Sequence, residues 1–403
     1  MKAEALTDYI YCIHADIKTA DFFEGIWPIP NGVSLNSYLV KGEKTALIDL
    51  VSDWAGAVEQ VERALASVGS DFSETDYLVL NHLEPDHTGW LKSFREKNPK
   101  AEIISTQKGI ALLKSFYKIE TGVRAVKDGD TLDLGGGKIL TFFETPNVHW
   151  PETMVTWEAS SGTLFSCDAF GSYGALGDRI FDDNFTEKEH SSFEKECLRY
   201  YANIISSFSV FVERAAAKLA GLDIKCVAPS HGIVWRRDPK KIIDRYLKYA
   251  SWSKGPAEKE ITVIWGSMYG NTKAAVDAVI QGIEKEGVPC NIHRVPNENV
   301  SYVLTSAYRS SGLVIAMPTY EYAVFPPMAY VLDIFRRKHI TGKKALRIGS
   351  WGWVGGAKKE YDLCLENLKW DSCDSYEWAG YPTDEDFVVL EERGRELARK
   401  VKA

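Results

Sequence analysis

Four side chains that can bind a metal ion lie within six residues of this chain, in the segment His82-Leu83-Glu84-Pro85-Asp86-His87. The segment directly follows the apolar, strand-like residues 77–80, and Pro85 predicts a turn at the end of that strand. Imidazoles alone suit zinc, copper, iron or nickel, whereas added carboxylates favour harder ions. The segment therefore predicts a metal site built at a strand end, and the fold must bring further ligands to it.

The composition is that of a globular chain with two domains: 403 residues, 45% of them hydrophobic and 26% charged. A net charge of -8 without a long Lys/Arg run argues against nucleic acid or an anionic membrane as a partner. We find no signal-peptide pattern and no apolar stretch of the ~18 residues that a membrane span requires. Seven dispersed cysteines without a C-x-x-C pair are typical of reduced thiols, so we expect a cytoplasmic protein.

A polar segment at residues 251–260, which contains Gly255-Pro256, predicts a linker between domains at residues 1–250 and 261–403. In the second domain, five strand-like segments alternate with helical patterns. This alternation predicts an α/β domain with a doubly wound, five-stranded parallel sheet like that of flavodoxin. Its ligand would lie at the carboxyl ends of the strands.

The first domain has nine short strand-like segments and four predicted helices, at residues 55–67, 107–116, 187–207 and 240–250. This pattern predicts an α+β domain in which two packed sheets carry outer helices. Gly135–Gly137 is interpreted as the tip of a hairpin, because no helix start follows it.

Three further candidate ligands follow other strand-like segments of the first domain: His149, Asp168 and His231. Each residue alone is more typical of a hydrogen-bonded structural position. Together with the segment 82–87 they predict one metal centre. The candidate ligands are His82, Glu84, Asp86, His87, His149, Asp168 and His231.

The order and spacing of these residues resemble the metallo-β-lactamase superfamily, whose members carry H-x-H-x-D-H, then a distant His, an Asp and a final His. The resemblance covers about residues 30–235 and implies an αβ/βα sandwich. This chain departs from the hydrolase pattern at Glu84, which stands where the second His is usual. Three carboxylates offset most of the charge of two divalent ions, and they also suit the higher charge that redox iron reaches. A hydrolytic zinc pair tolerates more neutral ligands.

H-x-E-x-D-H is the pattern of the flavodiiron proteins, and this chain resembles that family at every ligand position. The resemblance implies one iron on His82, Glu84 and His149, and a second iron on Asp86, His87 and His231. Asp168 would bridge the two irons. Tyr200 or Tyr201 would lie just outside the ligands, as a tyrosine does at about this position in relatives.

Three loops that follow predicted strands of the second domain have the residues of a flavin site. The first has small and hydroxyl residues at a helix start that can bind a phosphate, but it is neither a Walker A loop nor G-x-G-x-x-G. All three lie at strand carboxyl ends, and this domain resembles the flavodoxins, which bind FMN there. The candidate FMN residues are Ser267, Met268, Tyr269, Gly270, Asn271, Thr272, Pro318, Thr319, Tyr320, Ser350, Trp351, Gly352, Trp353 and Gly355.

Both halves together resemble a flavodiiron oxidoreductase that reduces O₂ to water, NO to N₂O, or both, with FMN and two Fe as cofactors. The resemblance implies an external electron donor: a rubredoxin, a flavin reductase or a reduced deazaflavin. It also implies a head-to-tail homodimer or a dimer of dimers. One alternative is a dinuclear zinc hydrolase with an accessory flavodoxin-like domain. Another is a flavin electron carrier with a vestigial metal site, which predicts that a ligand is missing.

Overall fold

The computed structural model describes residues 2–403, which separate into two compact units. The first unit contains the residues up to Tyr201 together with Val210–Leu247, and the second contains Ala202–Ser209 and Lys248–Ala403. The segment 251–260, where we expected a linker, contains the last residue of one helix and the first three residues of a strand. None of the helices within residues 2–403 has both the length and the hydropathy for crossing a bilayer.

The first unit is built from short strands, most of which belong to two sheets. The strands are β1 (Glu4–Ala5), β2 (Ile10–Ile17), β3 (Phe22–Phe23), β4 (Trp27–Pro28), β5 (Val33–Lys41), β6 (Thr45–Ile48), β7 (Tyr77–Val79), β8 (Glu102–Thr106), β9 (Val123–Val126), β10 (Thr131–Asp133), β11 (Ile139–Glu144), β12 (Met154–Glu158), β13 (Thr163–Cys167) and β14 (Cys226–Pro229). The helices are α1 (Ala57–Ser67), α2 (Pro85–Thr88), α3 (Leu91–Lys97), α4 (Gln107–Leu112), α5 (Glu187–Tyr200), α6 (Ser209–Leu219) and α7 (Pro239–Ser251).

The larger sheet has the order β1-β2-β5-β6-β7-β8-β9, and the smaller sheet has the order β10-β11-β12-β13-β14. Every residue of β12, β13 and β14 is buried, which explains why these strands have continuous apolar runs. The Tyr38 ring of β5 lies 5.1 Å from the Phe165 ring of β13, so the two sheets pack face to face. The two-sheet architecture predicted from the sequence is therefore confirmed.

Several elements of the first unit differ from the sequence prediction. The helix expected over residues 187–207 ends at Tyr200, and a π-helical turn (Tyr201–Ile205) and a 3-10 turn (Ser206–Phe208) separate it from α6, which we did not predict. These turns keep the chain helical in direction, so the apolar periodicity shows no clear break. The helix expected over 107–116 likewise becomes π-helical after Leu112. We also missed β9, which has four residues, and the two-residue strands β1, β3 and β4, whereas β14 is the strand-like segment that precedes His231.

The second unit is an alternation of strands and helices. Its strands are β15 (Glu258–Trp265), β16 (Cys290–Arg294), β17 (Ser310–Ala316), β18 (Thr319–Tyr320), β19 (Ala323–Val324), β20 (Lys344–Trp351), β21 (Asp371–Ser372) and β22 (Tyr376–Ala379). Its helices are α8 (Asn271–Lys285), α9 (Val300–Arg309), α10 (Pro326–Arg337), α11 (Ala357–Leu365) and α12 (Asp384–Lys402).

The main sheet of this unit has the order β16-β15-β17-β20, and both β21 and β22 pair with the outer edge of β20. All of these pairings are parallel. The order confirms the predicted flavodoxin-like, doubly wound sheet, with two short strands sharing the fifth position. The carboxyl ends of β15, β17 and β20 consequently lie at one edge.

Helices α8 and α12 pack with their backbones in close approach, which two glycines make possible. A Cβ atom on Gly282 would lie 2.0 Å from the carbonyl oxygen of Glu391, and a Cβ atom on Gly394 would lie 2.2 Å from that of Val279. Any larger residue must push the helices apart. The starting point of α8, which carries the candidate phosphate loop, therefore depends on its fit against α12.

We predict that Gly394→Ala destabilises the second unit. Alanine improves helix propensity by about 1 kcal/mol, but overpacking against a backbone oxygen costs up to about 3 kcal/mol, so we expect a net loss of up to about 2 kcal/mol. Urea unfolding of the variant measures this loss. Gly221→Ala, where a Cβ atom meets nothing within 4 Å, is the control and should stay within about 0.5 kcal/mol of the parent. Equal stability of the two variants would contradict the packing argument.

Candidate metal centre and flavin site

The candidate metal ligands come from four segments that begin or end at strands of the first unit. The first segment leaves β7 and turns into the one-turn helix α2, which begins at Pro85. The loop between β11 and β12 carries His149, and β13 and β14 end just before Asp168 and His231. The structure brings all seven side chains together.

One half of the centre consists of His82, Glu84, His149 and Asp168. The His149 Nε2 atom lies 3.0 Å from Glu84 Oε2 and 3.2 Å from Asp168 Oδ2. The His82 Nε2 atom lies 3.4 Å from each of the same two oxygens. The four donor atoms thus surround one small volume.

The other half consists of Asp86, His87 and His231, and it uses the second oxygen of Asp168. Asp168 Oδ1 lies 3.0 Å from His87 Nε2 and 3.3 Å from His231 Nε2. The Asp86 oxygens lie 3.6 Å and 3.2 Å from the same two nitrogens. Each oxygen of Asp168 therefore faces a different half, which is the arrangement of a bridging carboxylate.

The spacing of these donor atoms fits two metal ions. Donors about 2.1 Å from one ion, at angles of about 90–110°, are about 3.0–3.4 Å apart. The two oxygens of Asp86, Asp168 Oδ2 and His231 Nε2 are buried and make no hydrogen bond of good geometry within residues 2–403. Buried polar atoms without a partner are costly, and a cation in each half would satisfy all of them.

The buried carboxylates of the two ligand clusters also require positive charge nearby. Burial alone would raise the pKa of Glu84 and of Asp168, but the neighbouring imidazoles hold the pKa of both carboxyls well below the usual range. Burial alone would lower the pKa of each imidazole, but the carboxylates around it dominate. They raise the pKa to about 10 for His82 and His231 and to about 9 for His87 and His149. Without a metal ion, protons on the imidazoles balance the carboxylates.

Glu152, which the sequence analysis missed, positions one of the ligands. Its Oε1 atom accepts a hydrogen bond of 2.8 Å from His82 Nδ1 and one of 3.1 Å from the backbone N–H of Leu83. The backbone carbonyl of Ser34 accepts from His231 Nδ1 at 2.8 Å. Such outer partners fix the ring and the tautomer so that Nε2 faces the ion. The only signal in the sequence was an acidic residue three positions after His149.

Backbone strain accompanies the site. Asp49 and Cys167 both have φ 55°, and Asn147 has φ 63°, a region that residues with a side chain rarely adopt. Cys167 lies at a register shift between β13 and β14 and directly precedes Asp168, so the strained turn directs that carboxylate. Asp49 accepts hydrogen bonds from the Asn81 N–H at 2.8 Å and the Ser230 hydroxyl at 3.1 Å, which ties two ligand loops together.

A cavity of about 800 Å³ opens onto the centre, and Glu84 and Asp86 form part of its wall. The β3–β4 hairpin supplies apolar lining: Phe23 is buried with its ring 5.7 Å from the His231 ring, while Phe22 and Ile26 are exposed. Small apolar molecules can therefore reach the carboxylates from solvent.

Tyr200, and not Tyr201, lies beside the centre. Its ring centroid is 5.7 Å from that of His231, and its buried hydroxyl has no hydrogen-bond partner within residues 2–403. Burial raises the pKa of this phenol well above its ordinary value, and the nearby carboxylates of Asp168 and Asp86 raise it further. The hydroxyl therefore keeps its proton. Tyr201 packs against Tyr246 instead.

The candidate flavin residues surround a cavity of about 310 Å³ at the carboxyl ends of β15, β17 and β20. All of them line it except Gly270 and Gly355, and Glu321, which we did not predict, lines it as well. Gly270 precedes α8 with φ 99°, and its N–H donates to the Ser267 hydroxyl at 3.0 Å.

The loops of this cavity fit a phosphorylated planar ligand. The hydroxyls of Thr272 and Ser350 are hydrogen-bonded at 2.9 Å, which connects the helix start to the loop after β20. The Thr319 Oγ1 atom is buried without a partner in the described chain. Trp353 and Tyr269 are exposed at the rim, where they can cover a ring system. The N-terminus of α8 favours an anion such as a phosphate.

Comparisons with known proteins agree with this geometry. The family described as ODP family beta lactamase matches residues 33–232. The anaerobic nitric oxide reductase flavorubredoxin of Pectobacterium atrosepticum is 35% identical over 390 residues, which is 96% of this chain and 75% of that protein. The chain belongs to the flavodiiron protein family.

Solved structures of flavodiiron proteins have the same fold over the whole chain. The rubredoxin oxygen:oxidoreductase of Desulfovibrio gigas superposes with a TM-score of 0.92 at 26% identity, covering 100% of this chain and 99% of that one. The flavodiiron protein of Giardia intestinalis gives a TM-score of 0.92 at 25% identity, with coverage of 100% and 97%. Membership confirms the predicted fold class and implies FMN and a non-haem diiron centre as cofactors.

We predict that Glu152→Gln weakens metal binding without preventing folding. The amide keeps the shape of the side chain but loses the charge that orients the His82 imidazole, so metal affinity should fall about 10–100-fold. Iron retention during dialysis against a chelator measures the loss. Glu120→Gln, which alters an exposed partner of Lys114, is the control and should retain iron like the parent.

Metal binding to this flavodiiron protein should release protons. The folded pKa values of about 9 to 10 lie above the ordinary histidine value, so in metal-free protein at pH 7.5 the four imidazoles are protonated. A metal ion binds the neutral ring, and up to about four protons should leave per chain. Calorimetric titration in two buffers of different ionisation enthalpy measures this number. Release of less than one proton would contradict the charge balance described above.

The double variant Ser267→Ala, Thr272→Ala should weaken FMN binding by about tenfold and leave the iron content unchanged, because both hydroxyls lie at the α8 start. Fluorescence titration of the flavin-free protein with FMN measures the affinity. Ser372→Ala, on an exposed strand away from the cavity, is the control. Unchanged FMN affinity would mean that the phosphate lies elsewhere.

Proposed function

We propose that this chain is a flavodiiron oxidoreductase that reduces nitric oxide, dioxygen or both at a diiron centre, with electrons delivered through FMN. The observation that carries the proposal is the pair of ligand clusters that share Asp168, with Glu84 in the position of a hydrolase histidine. Relatives named nitric oxide reductase and oxygen:oxidoreductase support this reaction class.

In this proposal, His82, Glu84 and His149 would hold one iron, Asp86, His87 and His231 would hold the other, and Asp168 would serve both. When bound, the two irons and FMN together supply up to four electrons, which suffices for reduction of O₂ to water or of two NO molecules to N₂O. The chain itself supplies geometry. Its carboxylates stabilise high positive charge, and the outer hydrogen bonds keep the imidazoles aligned.

The cavity that opens onto Glu84 and Asp86 gives the substrate its route. Its wall combines apolar side chains such as Phe23 with four acidic side chains, whose negative charge disfavours an anionic substrate relative to a small uncharged gas. The Tyr200 hydroxyl keeps its proton and has no hydrogen-bond partner among the described residues, so we propose that it donates a hydrogen bond to the substrate oxygen. Nothing in this wall separates NO from O₂, so both are retained as substrates.

We further propose that electrons come from a separate carrier: a rubredoxin, a flavin reductase or a reduced deazaflavin. The names of two relatives contain rubredoxin, which favours the first. A head-to-tail homodimer, or a dimer of such dimers, would place the FMN of one chain at the metal cavity of another. The exposed apolar side chains Phe22 and Ile26 at the cavity mouth suit such a contact. A cytoplasmic location is proposed because all seven cysteines are unpaired.

The alternatives are less well supported. A zinc hydrolase finds no support among the relatives, and the side chain of Glu84 points into the ligand cluster. A flavin carrier with a vestigial metal site predicts a missing ligand, whereas all seven candidates are brought together.

The decisive test combines composition with turnover. We expect about two irons and one FMN per purified chain, and rapid reoxidation of the anaerobically reduced protein by a pulse of NO or O₂. Comparison of the two gases gives the substrate preference. Two zinc ions and no gas consumption would overturn the proposal in favour of the hydrolase.

We predict that Glu84→His abolishes gas reduction while FMN stays bound. Removing one of three carboxylates and adding an imidazole shifts the site toward zinc, so iron content should fall and turnover should drop at least about tenfold. Metal analysis and NO or O₂ electrode assays measure both. Glu120→His is the matched control on an exposed side chain and should behave like the parent. Near-normal turnover of Glu84→His would refute its role as an iron ligand.

A further inference from the structure

A second cavity of about 250 Å³ lies in the second unit, away from the flavin loops. It is lined by residues at the amino ends of β15, β17 and β20, whereas the flavin cavity lies at their carboxyl ends. Parallel strands separate these two edges by their full length. A ligand here would therefore not be the flavin.

The charged side chains that line this cavity are three lysines: Lys259, Lys343 and Lys344. No Asp or Glu side chain is part of the lining, and none of the three lysines forms an ion pair with a carboxylate side chain in the part of the chain that the structure describes. Glu260 is close enough to Lys343 to affect it, but its Oε1 atom accepts from the Ser310 hydroxyl at 3.2 Å. Ala403 also lines the cavity, and its α-carboxylate brings one negative charge, so the three lysines leave an excess of positive charge when Lys343 is protonated.

Each ammonium group retains hydrogen-bond capacity. Lys343 is buried and donates to the carbonyls of Tyr308 and Ser310 at 2.8 and 2.6 Å. Lys259 and Lys344 each donate to one carbonyl at the end of α12. An ammonium group has three N–H donors, so Lys343 keeps one when it is protonated, and Lys259 and Lys344 keep two each.

A buried hydroxyl without a partner points to a ligand. Ser311 lines the cavity and is 8% exposed, and its Oγ atom is buried without a hydrogen-bond partner within residues 2–403. Burial lowers the pKa of Lys343 to about 7 despite the opposing effect of Glu260, so a bound anion would also relieve the cost of an ammonium group there. Hydroxyl and ammonium donors together are typical of an oxyanion site.

We propose that this cavity binds a small oxyanion, a carboxylate or a phosphate, through Ser311, Lys259, Lys343 and Lys344. The volume of about 250 Å³ equals that of about eight water molecules, so the ligand has on the order of eight non-hydrogen atoms. Trp252 and Val401 form an apolar wall, which accommodates a short hydrocarbon part beside the charged group. This site is independent of the proposed gas reduction.

The test is calorimetric titration of the protein loaded with FMN and iron, with inorganic phosphate and with butyrate as probes. FMN occupies its own phosphate site during the titration. We expect saturable binding of at least one probe, and the stronger probe distinguishes a phosphate from a carboxylate ligand. Failure of both probes to bind at millimolar concentration would overturn the proposal and leave ordered water as the partner of Ser311.

Two variants locate the site. Lys259→Met changes an exposed side chain and Ser311→Ala removes a single oxygen, so both should fold, and each should weaken binding at least about fivefold. Lys359→Met, an exposed lysine on α11 outside the cavity, is the matched control and should bind like the parent. Binding that is unaffected by both cavity variants would place the anion elsewhere, for example at the metal centre, and would overturn the assignment.

Discussion

The carboxylate of Asp168 is the group on which the arrangement of the first unit depends. Its two oxygens face different ligand clusters, so a shift of this one side chain would change both halves at once. The residue before it has a left-handed backbone conformation at a register shift between two buried strands. Buried strands on both sides determine this strained turn, which fits the rule that strain persists where the surrounding packing enforces it.

The charge of the carboxylates in this centre is balanced by two successive layers of groups. Imidazoles surround the carboxylates, and outer acceptors such as Glu152 and the Ser34 carbonyl hold two of the imidazoles by their other nitrogen. In each layer, the hydrogen bonds offset part of the free energy that burying the charged groups costs. The Asp49 carboxylate, bonded to two ligand loops, belongs to the same system.

Much of the fold and of the site could be predicted from the sequence because the signals were local. Ligands such as His82 and Glu84 follow apolar strands directly, and the alternation after residue 258 identifies a parallel sheet. Glu152 was missed because its role depends on a contact across 70 residues of sequence. The end of α5 at Tyr200 was missed because the π turn after it preserves the helical periodicity, and α6, which begins at Ser209, was not predicted. No sequence pattern predicts that residues 202–209 belong to the second unit, because this assignment depends on packing.

The close approach of α8 and α12 has a consequence for the flavin. Because two carbonyl oxygens sit where side chains would otherwise separate the helices, α8 cannot slide along its axis without collision. The first turn of α8 supplies the N–H groups of the candidate phosphate loop. By fixing the position of α8, α12 therefore also fixes the position of these groups. Heat or denaturant that loosens α12 would free α8 to move, and cofactor loss would then precede unfolding of the central sheet.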